Sequence, residues 1–214
     1  MEKNKLKINL LEKLNPFFKD LNFSLNKSVC EFTERRRWGW NKFHLIFLDR
    51  QYGWEINLGM LIRYHLVEDI YHKASYYEAK YHKTTPTIGI SIEKFINDGK
   101  DYKCYLSSED DIDICVNYIK TLFIKTAVPF YEKYDNLENL EGAINIENEA
   151  SIFSGLKYEG NVGLILAKIV QNPNYDLLLE KYHKYYKNLN DGFYLPEFEM
   201  LVKVLDSSSF TNKS

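Results

Sequence analysis

The sequence predicts an α+β fold in which an antiparallel sheet of about five strands fills the N-terminal half and packs with N-terminal and C-terminal helices. Three observations lead there. Residues 23–65 are rich in β-branched and aromatic side chains and are broken by glycine-bearing turns. Residues 108–205 carry their apolar positions at helical spacing. Strand and helix patterns do not alternate, as a doubly wound parallel sheet would require. With 214 residues, 45% of them hydrophobic, and only 5 Pro and 10 Gly, the chain has apolar surface for a sizeable core, which excludes a disordered, collagenous or disulfide-stapled protein.

Each element has its own signal. Leu6, Ile8, Leu10, Leu11, Leu14, Phe17, Phe18 and Leu21 predict an amphipathic helix, kinked or restarted near Pro16. Residues 23–34, 41–49 and 52–65 predict a meander with turns at Trp38-Gly39-Trp40 and Gln51-Tyr52-Gly53. In its third strand Trp54, Ile56, Leu58, Met60, Ile62 and Tyr64 alternate with Glu55, Asn57, Gly59, Arg63 and His65, and only Leu61 breaks the polar face. Val67–His72 reads as a short helix, and the tyrosine- and lysine-rich stretch that follows it to Lys83 receives no assignment. Ile88, Ile90 and Ile92, then Tyr102, Cys104 and Leu106 beyond the Asp98-Gly99-Lys100 turn, predict a further hairpin. Ser108 reads as an N-cap for the longest helix, which runs from Ile112 toward Pro129. Further helices are expected at Leu137–Ile144, Val162–Val170, Leu177–Leu189 behind Asn172 and Pro173, and Pro196–Leu205. Residues 1–206 read as a single domain with Asn145–Gly160 as its only seam, and 207–214 as a flexible tail.

A net charge of -2 and a pI near 6.2 give no global basic field of the kind that drives non-specific nucleic-acid or membrane binding. The first residues are polar and lack the apolar core of a secretory signal, and no stretch approaches the ~18 apolar residues of a membrane-spanning helix. Cys30, Cys104 and Cys115 are odd in number, with no Cys-x-x-Cys pair, and fit thiols used as small core hydrophobes in a reducing compartment. The expectation is a cytoplasmic protein with no membrane partner.

No phosphate-binding glycine loop, dinucleotide fingerprint, nucleophile elbow, His-Glu-x-x-His or EF-hand loop is present in the sequence, so no cofactor is expected and no catalytic residue is assigned. His65, Glu68 or Asp69, and His72 would share one helix face, and two imidazoles with a carboxylate suit a divalent transition metal. Arg35, Arg36, Arg37, Trp38 and Trp40, continued by Lys42 and Arg50, form a basic and aromatic turn of a kind that holds phosphates or stacks on bases. Asp135, Glu138, Glu141, Glu147 and Glu149 occur without an intervening Lys or Arg, which suits an exposed surface for a basic partner protein. Tyr64, Tyr71, Tyr76, Tyr77 and Tyr81 cluster with His65, His72 and His82 and with Lys73, Lys80 and Lys83, and tyrosines of this kind give rigid contact area with a polar tip.

The stretch Thr126-Ala127-Val128-Pro129-Phe130-Tyr131-Glu132-Lys133-Tyr134, followed by Asp135-Asn136-Leu137-Glu138-Asn139-Leu140, resembles part of a bacterial family of unknown function. So do Ile165–Ile169 with Asn172-Pro173-Asn174-Tyr175, and Ile56-Asn57-Leu58-Gly59 leading to Val67-Glu68-Asp69-Ile70. This pattern-level resemblance covers most of 1–205. It implies an α+β bacterial protein with an antiparallel sheet, some of whose relatives are encoded like immunity proteins beside toxins, and it carries over no active-site residue. The functional expectation is therefore a non-enzymatic protein-binding domain, immunity-like toward a toxin partner, using the sheet face or the acidic 135–149 region. The alternatives are a metal-dependent enzyme or metal-binding domain around His65, Glu68 and His72, and an RNA or DNA binder using Arg35–Trp40.

Overall fold

The computed structural model describes residues 3–146, 151–153 and 157–208, and the side chains of all of these except 157–159. Tertiary contacts group the chain into two compact units of interrupted sequence. One is Met1–Ile62 with Gly89–Lys133, and the other is Arg63–Ile88 with Tyr134–Ser214. Of the expected Asn145–Gly160 seam, 147–150 and 154–156 lie outside the described residues.

In the first unit, α1 (Lys3–Asp20) continues through Pro16 without a restart. It stops at Asn22, which takes the left-handed conformation (φ 65°) while the Phe23 and Asn22 amides donate back to Phe18 and Lys19 carbonyls at 2.8 and 3.0 Å. That pair of bonds satisfies the carbonyls a helix end leaves open. Strands β1 (Ser24–Asn26), β2 (Glu31–Arg36), β3 (Gly39–Arg50) and β4 (Gly53–Tyr64) form an antiparallel meander, in which the segment expected over 23–34 is not one strand but turns back on itself as the paired β1 and β2, Leu25 opposite Phe32. The cross-strand pair Phe32 and Phe43 is fully buried. Phe18 of α1 stacks on Phe32 with ring centroids 3.9 Å apart, and Phe123 meets Phe18 and Phe43 edge-on at 4.7 and 5.1 Å. This aromatic centre is what fixes α1 against the sheet.

Phe123 opens a π-helical turn (Phe123–Ala127) between α4 (Asp111–Leu122) and α5 (Val128–Lys133), so the run is one continuous helix with a wide turn in its middle. The wide turn precedes Pro129, whose ring has no N–H to donate and would crowd the carbonyl one turn back in a regular helix. The helix does not start on a Ser108 cap. Instead Asp111 Oδ2 accepts from the Ser107 and Ser108 amides at 2.8 and 2.7 Å and from Ser108 Oγ at 3.0 Å. A carboxylate outcompetes a hydroxyl for amide donors, so the cap comes from inside the helix.

Among the described residues the sheet has six strands, because β5 (Ile88–Ser91) and β6 (Cys104–Leu106) both adjoin β4. They are not a hairpin. Ser91 Oγ accepts from the Lys94 amide at 3.1 Å and starts α3 (Ile92–Ile96), which ends on left-handed Asn97 (φ 51°). Only after α3 does the chain return as β6, pairing Trp54 with Leu106 and Ile56 with Cys104. Gly53 is required there, since a Cβ would come within 2.5 Å of the Leu106 carbonyl oxygen.

In the second unit, α2 (His65–Tyr71) follows directly on Arg63 and Tyr64. Later come α6 (Leu137–Ile144), a π turn over Lys157–Val162, α7 (Gly163–Ile169), α8 (Tyr175–Asn188) and α9 (Leu195–Ser207). The apolar α7, with Leu164, Ile165, Leu166 and Ala167 all buried, is packed by α2, α6 and α8. Among the described residues no helix is long and apolar enough to cross a membrane. Of the expected tail, 209–214 lies outside the described residues.

Candidate functional site

The segment Tyr76–Tyr81 is exposed at every position and holds only one short turn of 3₁₀-helix, Ala79–Tyr81, yet its ends are fixed by charged groups inside the second unit. The anchor is Arg63. Although it sits on the nominally polar face of β4, its side chain is 3% exposed. Nη1 donates to the Thr85 carbonyl at 2.6 Å and to Thr85 Oγ1 at 3.0 Å, and Nη2 donates to the His82 carbonyl at 2.8 Å. One guanidinium thus holds two backbone carbonyls of the returning chain in a planar fork, a geometry that lysine does not offer.

Burying this cation requires a counter-charge. Glu68 on α2, whose side chain is fully buried, places Oε2 3.5 Å from Arg63 Nη1. Burial pulls the Arg63 guanidinium below its ordinary pKa, and Glu68 and Asp69 oppose that pull. Thr85 ties the pair together. Its hydroxyl donates to Glu68 Oε2 at 2.5 Å and accepts from Arg63, which leaves one lone pair. His72 Nε2, at 2.7 Å, must therefore be the donor to Thr85 Oγ1, so this nitrogen carries a proton. Nδ1 of the same ring faces Ser75 Oγ at 2.8 Å.

The loop itself is built on these groups. The His82 ring stacks on His72 with centroids 4.1 Å apart and planes 7° from parallel, and its Nε2 bonds the Tyr77 carbonyl at 2.7 Å. Tyr77 meets the Tyr71 and His72 rings edge-on at 6.2 and 5.9 Å. Glu197 of α9 accepts from the Tyr71 hydroxyl at 3.2 Å and from the Tyr76 amide. Burial raises the Glu197 carboxyl above its ordinary pKa, against the lowering effect of those bonds. On the outside stand Tyr76, Tyr77 and Tyr81, 62%, 48% and 45% exposed, with Lys80 4.8 Å over the Tyr81 ring.

Three other groups of expected site residues are arranged differently. His65, Glu68 and His72 do not converge as metal ligands. His65 is exposed and takes a bond from Arg63 Nε at 3.3 Å, so the cation beside Glu68 is the guanidinium itself. Among the described residues no group of three or more His, Cys, Asp or Glu side chains is placed to hold a metal ion. In the basic turn, Arg37 is exposed and Trp38 half-buried, while Arg36 is paired with Glu34 at 2.9 Å. Trp40 is buried, with Lys42 Nζ 4.4 Å over its ring, so it offers no open face for a base.

In the acidic stretch Asp135 and Glu138 are exposed, but Glu141 is not. Glu141 Oε1 accepts from Asn145 Nδ2 at 2.7 Å and Asn172 Nδ2 at 2.6 Å, and Tyr182 donates to Asn145 Oδ1. Its charge is spent on internal amides, which removes it from any partner-facing surface. Glu147 and Glu149 lie outside the described residues.

Reading by sequence spacing missed Arg63, Thr85 and Glu197. The one available signal was a lone arginine within the best-patterned strand, 22 residues from Thr85. Set beside known proteins, the chain matches no family model, no curated protein and no solved structure.

Proposed function

We propose that the chain is a non-enzymatic protein-binding domain whose recognition element is the loop Tyr76–Thr84. The observation that supports this most is the contrast between outside and inside. Three exposed tyrosines sit on a segment with almost no regular structure, while Arg63, Glu68, His72, Thr85 and Glu197 hold its backbone from within. Preorganisation matters because ordering a loop on binding costs free energy that a fixed loop has already spent in folding. Tyrosine adds wide contact area for two side-chain torsions, and its hydroxyl stays wet at the rim. Lys80 and Lys83 against Glu78 leave the loop a net positive charge, with Lys73 just before it, so it favours a partner with an acidic surface. A toxin held inactive by this chain is the narrower form of the proposal, and the family resemblance is what supports it.

The experiment is affinity capture from extracts of the source organism with wild type and with Tyr76→Ala/Tyr77→Ala/Tyr81→Ala, after circular dichroism shows equal folding. One stoichiometric protein retained by wild type and lost by the triple variant is the expected result. Equal retention by both, or no retained protein, contradicts the proposal.

A further inference from the structure

Cys104 lies in β6 and Cys115 in α4, the helix that packs on that strand. Both are free thiols, 7% and 1% exposed. Cys115 Sγ donates to the Tyr105 carbonyl at 3.4 Å, which sets this thiol against β6 at the residue next to Cys104. Both thiols are buried where the short strand meets the helix against it, close enough for each to perturb the other's ionisation. The third cysteine is elsewhere: Cys30 Sγ bonds the Lys27 carbonyl in the β1–β2 turn.

We propose that Cys104 and Cys115 are a modification site that closes to an intramolecular disulfide when the protein meets hydrogen peroxide. Cys115 sulfur attacks one peroxide oxygen, the O–O bond breaks, and the departing hydroxide leaves as water with the thiol proton, giving a sulfenic acid. Cys104 sulfur then displaces that hydroxyl, which leaves as a second water with the Cys104 proton. The two thiols lose two electrons and two protons, and one peroxide is reduced to two waters. The neighbouring Cys104 thiol holds the Cys115 thiol below its usual range, which makes Cys115 the attacking sulfur, while Cys115 and burial hold Cys104 up. Access comes from local opening of β6, whose pairing with β4 spans only three residues. Once closed, the bridge staples β6 to α4 and restricts the unfolded chain between them.

The test uses the full chain, reduced and then exposed to hydrogen peroxide under native conditions, with intact mass and peptide mapping. Expected are the loss of two hydrogens, a single Cys104–Cys115 crosslinked peptide, and reversal by dithiothreitol. The thermal midpoint should rise by on the order of 5 °C in the oxidised form. Cys30→Ala keeps the crosslink, whereas Cys104→Ala loses it and gains oxygen at Cys115. To separate access from geometry, the wild type is also equilibrated with oxidised glutathione in sub-denaturing urea. Failure to form the crosslink in both settings, or crosslinks that engage Cys30, overturns the proposal.

Discussion

Arg63 and Glu68 face each other at 3.5 Å with side chains 3% and 0% exposed, so each charge is compensated by the other inside the second unit. Removing one member of a buried pair leaves an unpaired charge, which costs about 3–5 kcal/mol, whereas replacing both with apolar groups costs far less. Arg63→Met and Glu68→Leu are each expected to lose about that much stability, and the double variant less than the sum. Urea denaturation of the four proteins measures the coupling. Additive losses would show that the two side chains do not act as a pair.

Thr85 spends its hydroxyl on three partners at once, Glu68, Arg63 and His72. Thr85→Val keeps the shape and deletes all three bonds, and it is expected to cost roughly 2–3 kcal/mol because two of the partners are charged. Thr85→Ser keeps the hydroxyl and most of the stability. Trypsin cleavage at Lys80 and Lys83 should accelerate in the valine variant and not in the serine variant. Equal cleavage in both would disconnect the network from the loop.

Glu197 supplies the pH dependence. Burial raises its folded pKa above the unfolded value of 4.5, so its contribution to stability is fully present below about that pH and is lost as pH rises through the folded value. Glu197→Gln keeps an acceptor for Tyr71 and Tyr76 without the ionisation. The variant is therefore expected to gain on wild type as pH rises from 4 to 7.5, as read from denaturation midpoints. A constant difference across that range would remove the assignment.

Two glycines make a matched pair. A Cβ at Gly163 would lie 2.6 Å from Asn145 Oδ1 and 2.9 Å from the Tyr182 hydroxyl, while one at Gly142 would meet nothing within 4 Å. Gly163→Ala is expected to destabilise by about 1–3 kcal/mol through this crowding, and Gly142→Ala in α6 to stabilise by about 0.5–1 kcal/mol. Thermal midpoints moving the same way in both variants would contradict the packing described for α6 and α7.

What the sequence reveals depends on how local the cause is. The meander and α6 are legible because period-two alternation and the Asn136 cap, which accepts from the Asn139 amide at 3.0 Å, act within a few residues. The β5–β6 hairpin is misread because Ile88, Ile90 and Ile92 continue to alternate across Ser91, where a cap bond turns the chain into a helix instead. Glu141 reads as part of an acidic surface, and its burial depends on Asn172, 31 residues away. The loop anchor is the least legible part, since Arg63 looks solvent-facing until the chain returns at His82 and Thr85 to cover it. Tyrosine content alone marks the exposed side of this loop in the sequence, but the groups that hold it in place come together only through non-local folding.

Backbone order in Tyr76–Thr84 is the property on which the whole reading turns, and ¹⁵N relaxation of the free protein measures it. Amide order parameters for Tyr76, Tyr77, Lys80 and Tyr81 near the rigid value of about 0.85, matching those of α2, are predicted. Values below about 0.6, with α2 remaining rigid, would mean that the buried ions do not hold the loop and would contradict the account.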